Sequence, residues 1–382
     1  MADPDIPGTA HELKELAKLR DDGVLSESEF ARLKAAYLER SIAAASAPIE
    51  KFGVGAGTRQ AIDLITDRLN LEKIVNFSFA SFFGDVFKRR AFDEGERRLS
   101  MGFVNTTPAI DEAMSVMPSP WLFARVLLFS LLSYAIFYFG WNQFQNVKLI
   151  PGLIVIGSFA VPLSVTVLFY ELNTPRNVSI VRVVQFMIVG GAASILFSLV
   201  FGDLTPLFGM FGPPAAGAIE ECGKLAAVCA LYEGSKNLRA RYPYLLNGLL
   251  LGAAVGAGFA AFESAGYALA IGLQDTGAMV QNIAFRGLLS PFGHIVWTAI
   301  AAGVYWRQRR VHSNAWQTFA DRSFLLVFAV PVALHAIWDM DFWIPFYGKY
   351  VLIGAVGWVI VISLVQSGLR EMRAFPHTAS GA

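Results

Sequence analysis

The sequence predicts an all-α protein: a polytopic membrane helix bundle of about eight transmembrane helices, with a small cytoplasmic helical region at the N-terminus. The 382 residues are 55% hydrophobic and only 16% charged, whereas soluble domains carry about 25% charged residues. The mean hydropathy is +0.49, and the acidic residues are concentrated in the first third of the chain. A polar head joined to an apolar body is therefore expected. The net charge of +1 indicates no nucleic-acid partner.

Residues 1–45 predict a helical hairpin. Leucines recur at helical spacing, Gly23 follows the first helix, and Ser26 with Glu29 forms a capping box for the second. The segment resembles the SHOCT module, a short two-helix unit, and this resemblance implies oligomerisation through the hairpin. A solvated hairpin without a partner is the alternative interpretation.

Residues 46–118 predict a linker followed by an amphipathic region on the membrane surface. An Ala-, Ser- and Gly-rich stretch comes first, and a cluster of phenylalanines then precedes the basic run Lys88-Arg89-Arg90. Aromatic residues beside basic ones are typical of a helix that lies on anionic lipid. A small soluble subdomain that packs the rings internally is the alternative.

Residues 119–370 predict the membrane domain, and residues 371–382 a cytoplasmic tail. Eight apolar segments are each about long enough to cross 30 Å of hydrocarbon. They are residues 121–141, 150–171, 181–201, 213–233, 244–272, 284–306, 323–340 and 348–367. Arginine and lysine are concentrated in one alternating set of loops, so the positive-inside rule places both termini in the cytoplasm. We expect a bacterial cytoplasmic membrane protein.

Ionisable side chains within these segments are the main indication of function. Each costs about 2.5–3.5 kcal/mol at the centre of a bilayer, so those that persist are candidates for a functional site. The candidate catalytic residues are Glu220, Glu221, Glu263, His294, His335 and Asp339. A rise of about 1.5 Å per residue puts all of them in the outer half of the membrane, which predicts one shared polar site.

Helical spacing also predicts partners for these groups. Three pairs lie four residues apart and therefore share a helical face: Glu220 with Lys224, Glu263 with Tyr267, and His335 with Asp339. The lysine would neutralise one of the two adjacent glutamates, the tyrosine could donate to Glu263, and the aspartate could orient the histidine. Burial beside a like charge suits the remaining glutamate to acid or base chemistry near neutral pH.

Four motifs in order resemble the PrsW family of intramembrane proteases. They are Glu-Glu-x-x-Lys at 220–224, Phe-Glu-x-x-x-Tyr at 262–267, the lone His294, and His-x-x-x-Asp at 335–339. The type II CAAX prenyl endopeptidases are similar, but their first motif ends in arginine and their last usually carries asparagine. Lysine and aspartate at these positions favour the PrsW branch.

The resemblance implies hydrolysis of a peptide bond in a membrane-associated protein or peptide, near the extracytoplasmic face. Glu220, the first glutamate of the motif, is the expected base, although the sequence leaves Glu221 open. Glu263 and His294 would hold the attacking water or a metal, and His335 would stabilise the oxyanion or protonate the leaving amine. We favour a mechanism without a metal. If zinc is the cofactor, its candidate ligands are Glu263, His294 and His335.

Two other classes of protein fit parts of the pattern. A proton-coupled transporter or channel also uses intramembrane Glu, His and Asp relays, but no repeat relates residues 121–240 to 241–367. A catalytically inactive membrane scaffold is the second alternative, and the full set of motif residues argues against it.

Overall fold

The computed structural model describes residues 56–75, 77–108 and 117–374, which form helices and no strand. All but a few near residue 77 belong to one unit, Val54–Ile74 with Phe79–Ala382. The α-helices are α1 Ala56–Arg68, α2 Phe79–Phe82, α3 Phe92–Leu99, α4 Leu122–Phe144, α5 Ile150–Leu172, α6 Ile180–Gln185, α7 Gly191–Leu204, α8 Ala215–Glu233, α9 Lys236–Arg241, α10 Leu245–Gly272, α11 Thr276–Leu289, α12 His294–Arg309, α13 Ala315–Ala320, α14 Arg322–Asp339 and α15 Gly348–Ala374.

Shorter helical segments join some of these helices. A π-helical segment, Phe186–Gly190, connects α6 to α7. The 3₁₀ segments are Val147–Leu149, Pro206–Phe211, Ser290–Phe292 and Pro345–Tyr347. The predicted hairpin of residues 1–45 lies outside the described residues, as does the tail beyond Ala374.

Seven segments of the described chain are long and apolar enough to cross a membrane, and they match seven of the eight predicted spans. The predicted span 213–233 corresponds to α8, a helix of 19 residues. Its first half holds Glu220, Glu221 and Lys224, so it is less apolar than the others. It packs against α7, α10, α12 and α14. Neighbouring helices therefore surround the charges that make α8 a poor membrane helix by itself.

Helix α10 lies at the centre of the bundle, and every residue from Leu245 to Ala261 is buried. Its glycines allow the close approach of α12. A Cβ at Gly256 would collide with the carbonyl oxygen of His294, and one at Gly252 would lie 2.5 Å from the carbonyl oxygen of Thr298. The absence of a side chain at these two glycines therefore determines how closely α12 approaches α10.

The sixth span differs from its prediction as a continuous helix over 284–306. Helix α11 ends at Leu289, a 3₁₀ turn follows, and α12 begins at His294. Pro291 lacks the amide proton that a continuous helix needs, and Gly293 adopts φ −117° and ψ −130°. His294 is therefore the first residue of a helix rather than a residue in its middle.

Residues 79–108 are joined to the candidate membrane helices by hydrogen bonds. The buried carboxylate of Glu171, in α5, accepts from the backbone amides of Trp121, Leu122 and Phe123 at 2.9–3.0 Å. It also accepts from Arg98 of α3 at 3.2 Å. One carboxylate therefore caps α4 and holds α3 against the same end of the bundle.

Candidate active site

Helix α8 contributes two glutamates in different environments. Glu221 and Lys224 are completely buried, and the lysine Nζ lies 2.6 Å from Glu221 Oε1. The same Nζ lies 3.7 Å from Oε2 of Glu220, whose side chain is 20% exposed. The lysine was predicted to neutralise one of the pair, and its partner in the structure is Glu221. Glu220 Oε2 has no hydrogen-bond partner.

His335, from α14, contacts Glu221 as well as the predicted partner Asp339. Its Nδ1 lies 2.8 Å from Glu221 Oε1, so it donates to that carboxylate. Its Nε2 lies 3.6 Å from Glu220 Oε2 and 3.5 Å from Asp339 Oδ2. The Trp297 ring stacks on the imidazole at 4.7 Å. An aspartate one turn along the same helix approaches only the outward nitrogen, whereas Glu221 reaches the inner nitrogen from α8.

His294 is held between a cation and an anion. Its Nδ1 lies 2.8 Å from the Nζ of Lys224, and its Nε2 lies 3.2 Å from Oε2 of Glu263. A lysine ammonium has only donors, so Nδ1 accepts and Nε2 carries the proton that is donated to Glu263. The pairing fixes one tautomer of a neutral imidazole.

Glu263 is bound by Arg286, a residue for which the sequence suggests only interaction with the outer lipid surface. The Nη2 of Arg286 pairs with Oε2 of Glu263, and its Nε donates to the hydroxyl of Ser264 at 2.9 Å. The predicted hydrogen bond from Tyr267 to Glu263 is not found among the described residues. Tyr267 is 51% exposed, and the Arg286 guanidinium lies 4.6 Å from the centre of its ring.

These groups surround a polar cavity of about 260 Å³. Its charged and histidine lining comes from five helices: Glu220 of α8, Glu263 of α10, Arg286 of α11, His294 of α12, and His335 and Asp339 of α14. Glu221 and Lys224 lie behind this lining. The cavity thus brings carboxylates, an arginine and two imidazoles around a volume that accommodates water.

The donor atoms fit a divalent metal in type and number. One ligand atom each of Glu220, His294 and His335 lies within 4.8 Å of the other two, and two histidines with one glutamate form a common catalytic zinc site. The hydrogen bond from His335 Nδ1 to Glu221 has the form that supports a metal-bound imidazole. The predicted ligand set had Glu263 in place of Glu220. For His294 to bind a metal, it must lose its present bond to Lys224 or to Glu263.

Residues 178–365 match the family described as PrsW family intramembrane metalloproteases. This region of the chain belongs to the PrsW family. No curated protein and no solved structure matches the chain. The match includes all six residues predicted to be catalytic, and with the seven apolar helices it makes this PrsW protein an integral membrane peptidase. The SHOCT resemblance is not confirmed and stays a prediction.

Two residues of the PrsW site were not predicted from the sequence. Arg286 lies near a predicted membrane boundary, where basic residues are common, and Trp297 resembles any aromatic residue on a buried helix. Each acquires its role through a contact with another helix. The one available indication for Arg286 was its position. It lies within one turn of a predicted membrane end, and the intramembrane Glu263 had no predicted cation as a partner.

Proposed function

We propose that this PrsW protein hydrolyses a peptide bond of a membrane-associated substrate with Glu220 as the general base. The observation that carries the proposal is the contrast between the two adjacent glutamates. Glu221 is paired with Lys224 and His335 and lies behind the cavity. Each glutamate keeps an Oε2 without a hydrogen-bond partner, but Glu221 is completely buried, whereas Glu220 lines the cavity and is 20% exposed. A base must have a free oxygen near the water that it deprotonates.

The proposed reaction begins with a water in the polar cavity. Glu220 takes one proton, the water oxygen bonds to the substrate carbonyl carbon, and the carbonyl electrons move to oxygen. His335, flanked by Glu220, Glu221 and Asp339, stabilises the resulting oxyanion. Glu220 then returns its proton to the amide nitrogen as the carbon–nitrogen bond breaks. The products are a carboxylic acid and an amine.

The other charged groups hold this arrangement in position. Lys224 compensates the buried charge of Glu221 and fixes the tautomer of His294. Glu263 supplies an acceptor for the water, and His294 and Arg286 hold that carboxylate in place. A buried site that contains four carboxylates needs such cations, because an unpaired charge in a membrane interior is costly.

A metal-dependent reaction is the second candidate, favoured by the Glu220, His294 and His335 cluster. These three residues would hold the ion. A zinc ion bound there would polarise the substrate carbonyl or a water molecule. Glu220 would then be a ligand and would no longer be available as the base. We propose the metal-free mechanism because the ammonium of Lys224 already occupies Nδ1 of His294.

We further propose that both termini are cytoplasmic and that cleavage occurs near the extracytoplasmic face. The charges of the loops support this orientation. Lys236, Arg239 and Arg241 follow the C-terminal end of α8, which is the end farther from Glu220. The substrate is then a protein or peptide whose scissile bond reaches the outer half of the membrane.

The experiment is a cleavage assay of purified protein in liposomes with a single-span substrate peptide. Glu220→Gln is expected to abolish cleavage and to leave thermal stability nearly unchanged, because its side chain makes no short hydrogen bond that the substitution removes. Glu233→Gln, in the same helix and paired with Arg239 and Arg309, is the matched control and should retain cleavage. Normal cleavage by Glu220→Gln would refute Glu220 as the base.

A further inference from the structure

A second, apolar groove adjoins the polar cavity. The groove has a volume of about 660 Å³ and lies between α7, α8 and α10, with the 3₁₀ segment Pro206–Phe211 and the turn after it at one end. Glycine, alanine, leucine, isoleucine and phenylalanine make up most of its walls. Among the described residues that line it, the charged ones are Glu220 and Glu263. The apolar groove thus ends at the carboxylates of the proposed active site.

The groove and the polar cavity share lining residues. Glu220, Glu263 and Tyr267 line both, as do Pro213 and Ala216 at the start of α8. A chain in the groove would therefore bring its end to the carboxylate of Glu220. Its backbone amides and carbonyls could then form hydrogen bonds with the charged groups of the polar cavity.

The outer side of the groove is open. Leu199 of α7 is 64% exposed, and an added Cβ at Gly266 of α10 would meet no atom within 4 Å. Both residues belong to membrane-spanning helices. Exposed apolar residues of such helices contact lipid, so the groove is open to the bilayer rather than to water.

We propose that this groove binds an apolar segment of the substrate's transmembrane region, in extended form, and delivers it from the bilayer to Glu220. The inference rests on the proposed peptidase function and adds the residues that bind the substrate and the route by which it reaches them. Apolar walls favour an apolar segment, because a polar one would lose its hydration without gaining partners. The carboxylates at the inner end favour a peptide over a lipid acyl chain, which has no amide to present to them.

The geometry also predicts where the substrate is cut. The groove is apolar up to Glu220, and the polar cavity begins there. The scissile bond should therefore lie at the boundary of the apolar segment, with apolar side chains on one side of the bond and polar ones on the other. Helical peptide bonds are already hydrogen-bonded, so the extended form is the one that Glu220 and His335 can engage.

Cross-linking tests the binding site without relying on turnover. Leu199→Cys and Leu196→Cys are matched variants, because both leucines are exposed on α7, at 64% and 60%, and Leu199 lines the groove whereas Leu196 does not. Both are made in Glu220→Gln protein in which the native Cys222 and Cys229 are replaced by alanine. A single-span peptide with one cysteine in its apolar segment is the probe. Cross-linking at position 199 should exceed that at 196 at least tenfold, and equal yields would overturn the proposal.

A selectivity measurement tests the route. Gly266→Leu extends a side chain into the open groove, whereas Gly202→Leu, also in open space on α7, lies outside its lining. Each variant is assayed on the single-span peptide and on a short water-soluble peptide with the same scissile bond. Gly266→Leu should lower the ratio of the two cleavage rates at least tenfold, and Gly202→Leu should leave it unchanged. An unchanged ratio in Gly266→Leu would refute the lateral route.

The two tests separate failure of the groove from failure of the proposed function. Wild-type protein that cuts neither peptide, together with selective cross-linking at position 199, would refute the peptidase chemistry and retain the binding groove. Cleavage of both peptides with no selectivity at positions 199 and 266 would retain the chemistry and refute the groove.

Discussion

The Nζ of Lys224 lies 2.6 Å from Oε1 of Glu221, and both side chains are completely buried. The same Nζ contacts Nδ1 of His294 at 2.8 Å, and the same oxygen accepts from Nδ1 of His335 at 2.8 Å. One ion pair within α8 therefore orients two imidazoles that come from α12 and α14. Because this ion pair engages Glu221, Glu220 is the glutamate of the two that faces the cavity.

The ion pair is expected to stabilise the fold. Glu221→Gln and Lys224→Met should each destabilise the protein by about 3–5 kcal/mol, because each leaves an unpaired buried charge. The double variant should lose much less than the sum of the two, since it leaves no unpaired charge. Chemical unfolding in detergent gives these values. Additive losses in the double variant would argue against coupling of the two residues.

Arg286 is expected to be a positioning residue. Arg286→Gln removes the cation paired with Glu263, which should shift that carboxylate and His294 and lower kcat about a hundredfold. Arg286→Lys should recover part of the rate, because it restores the charge without the second bond to Ser264. Arg182→Gln, on the surface of α6 beside Gln185, is the control. Unchanged kcat in Arg286→Gln would limit this arginine to a role in lipid contact.

Close packing at Gly256 is expected to position His294. Gly256→Ala places a methyl group against the carbonyl oxygen at the start of α12, so it should cost about 1–3 kcal/mol of stability and reduce cleavage more strongly than binding. Gly202→Ala has open space at its Cβ and should change neither property. Thermal unfolding and the liposome assay measure the two effects. A fully active Gly256→Ala would show that α12 can move without displacing the histidine.

Metal dependence has a direct test. The proposed mechanism expects activity to survive dialysis against a chelator, and excess zinc to inhibit by binding Glu220 and His335. Elemental analysis of the dialysed protein accompanies the assay. Activity that is lost with the chelator and restored by zinc would instead make Glu220 a ligand and assign the reaction to the metal-dependent class.

Glu171 is expected to matter for stability rather than for chemistry. Glu171→Ala leaves three backbone amides at the start of α4 without their acceptor and should destabilise the protein by about 2–4 kcal/mol. Glu171→Gln keeps one oxygen acceptor and should cost less. Both variants should retain the KM of the wild type at temperatures where they are folded, and an altered KM would indicate a role in the active site.

Most of the helical architecture could be predicted from the sequence, because span length and apolarity are properties of each segment alone. Motif spacing also identified six ionisable residues that the structure brings together at the polar cavity. The break between α11 and α12 was missed, although Pro291 and Gly293 signal it locally. The apolar content of residues 276–309 concealed this break, since a continuous apolar stretch is compatible with one long helix.

The sequence by itself determined which helices form and which of them carry ionisable side chains. Tertiary structure alone decided that Glu221 lies behind the cavity and Glu220 lines it, that Arg286 binds Glu263, and that Trp297 stacks on His335. The physical reason is distance along the chain. Glu221 and His335 are 114 residues apart, so their hydrogen bond depends on how α8 and α14 pack, which no local periodicity encodes.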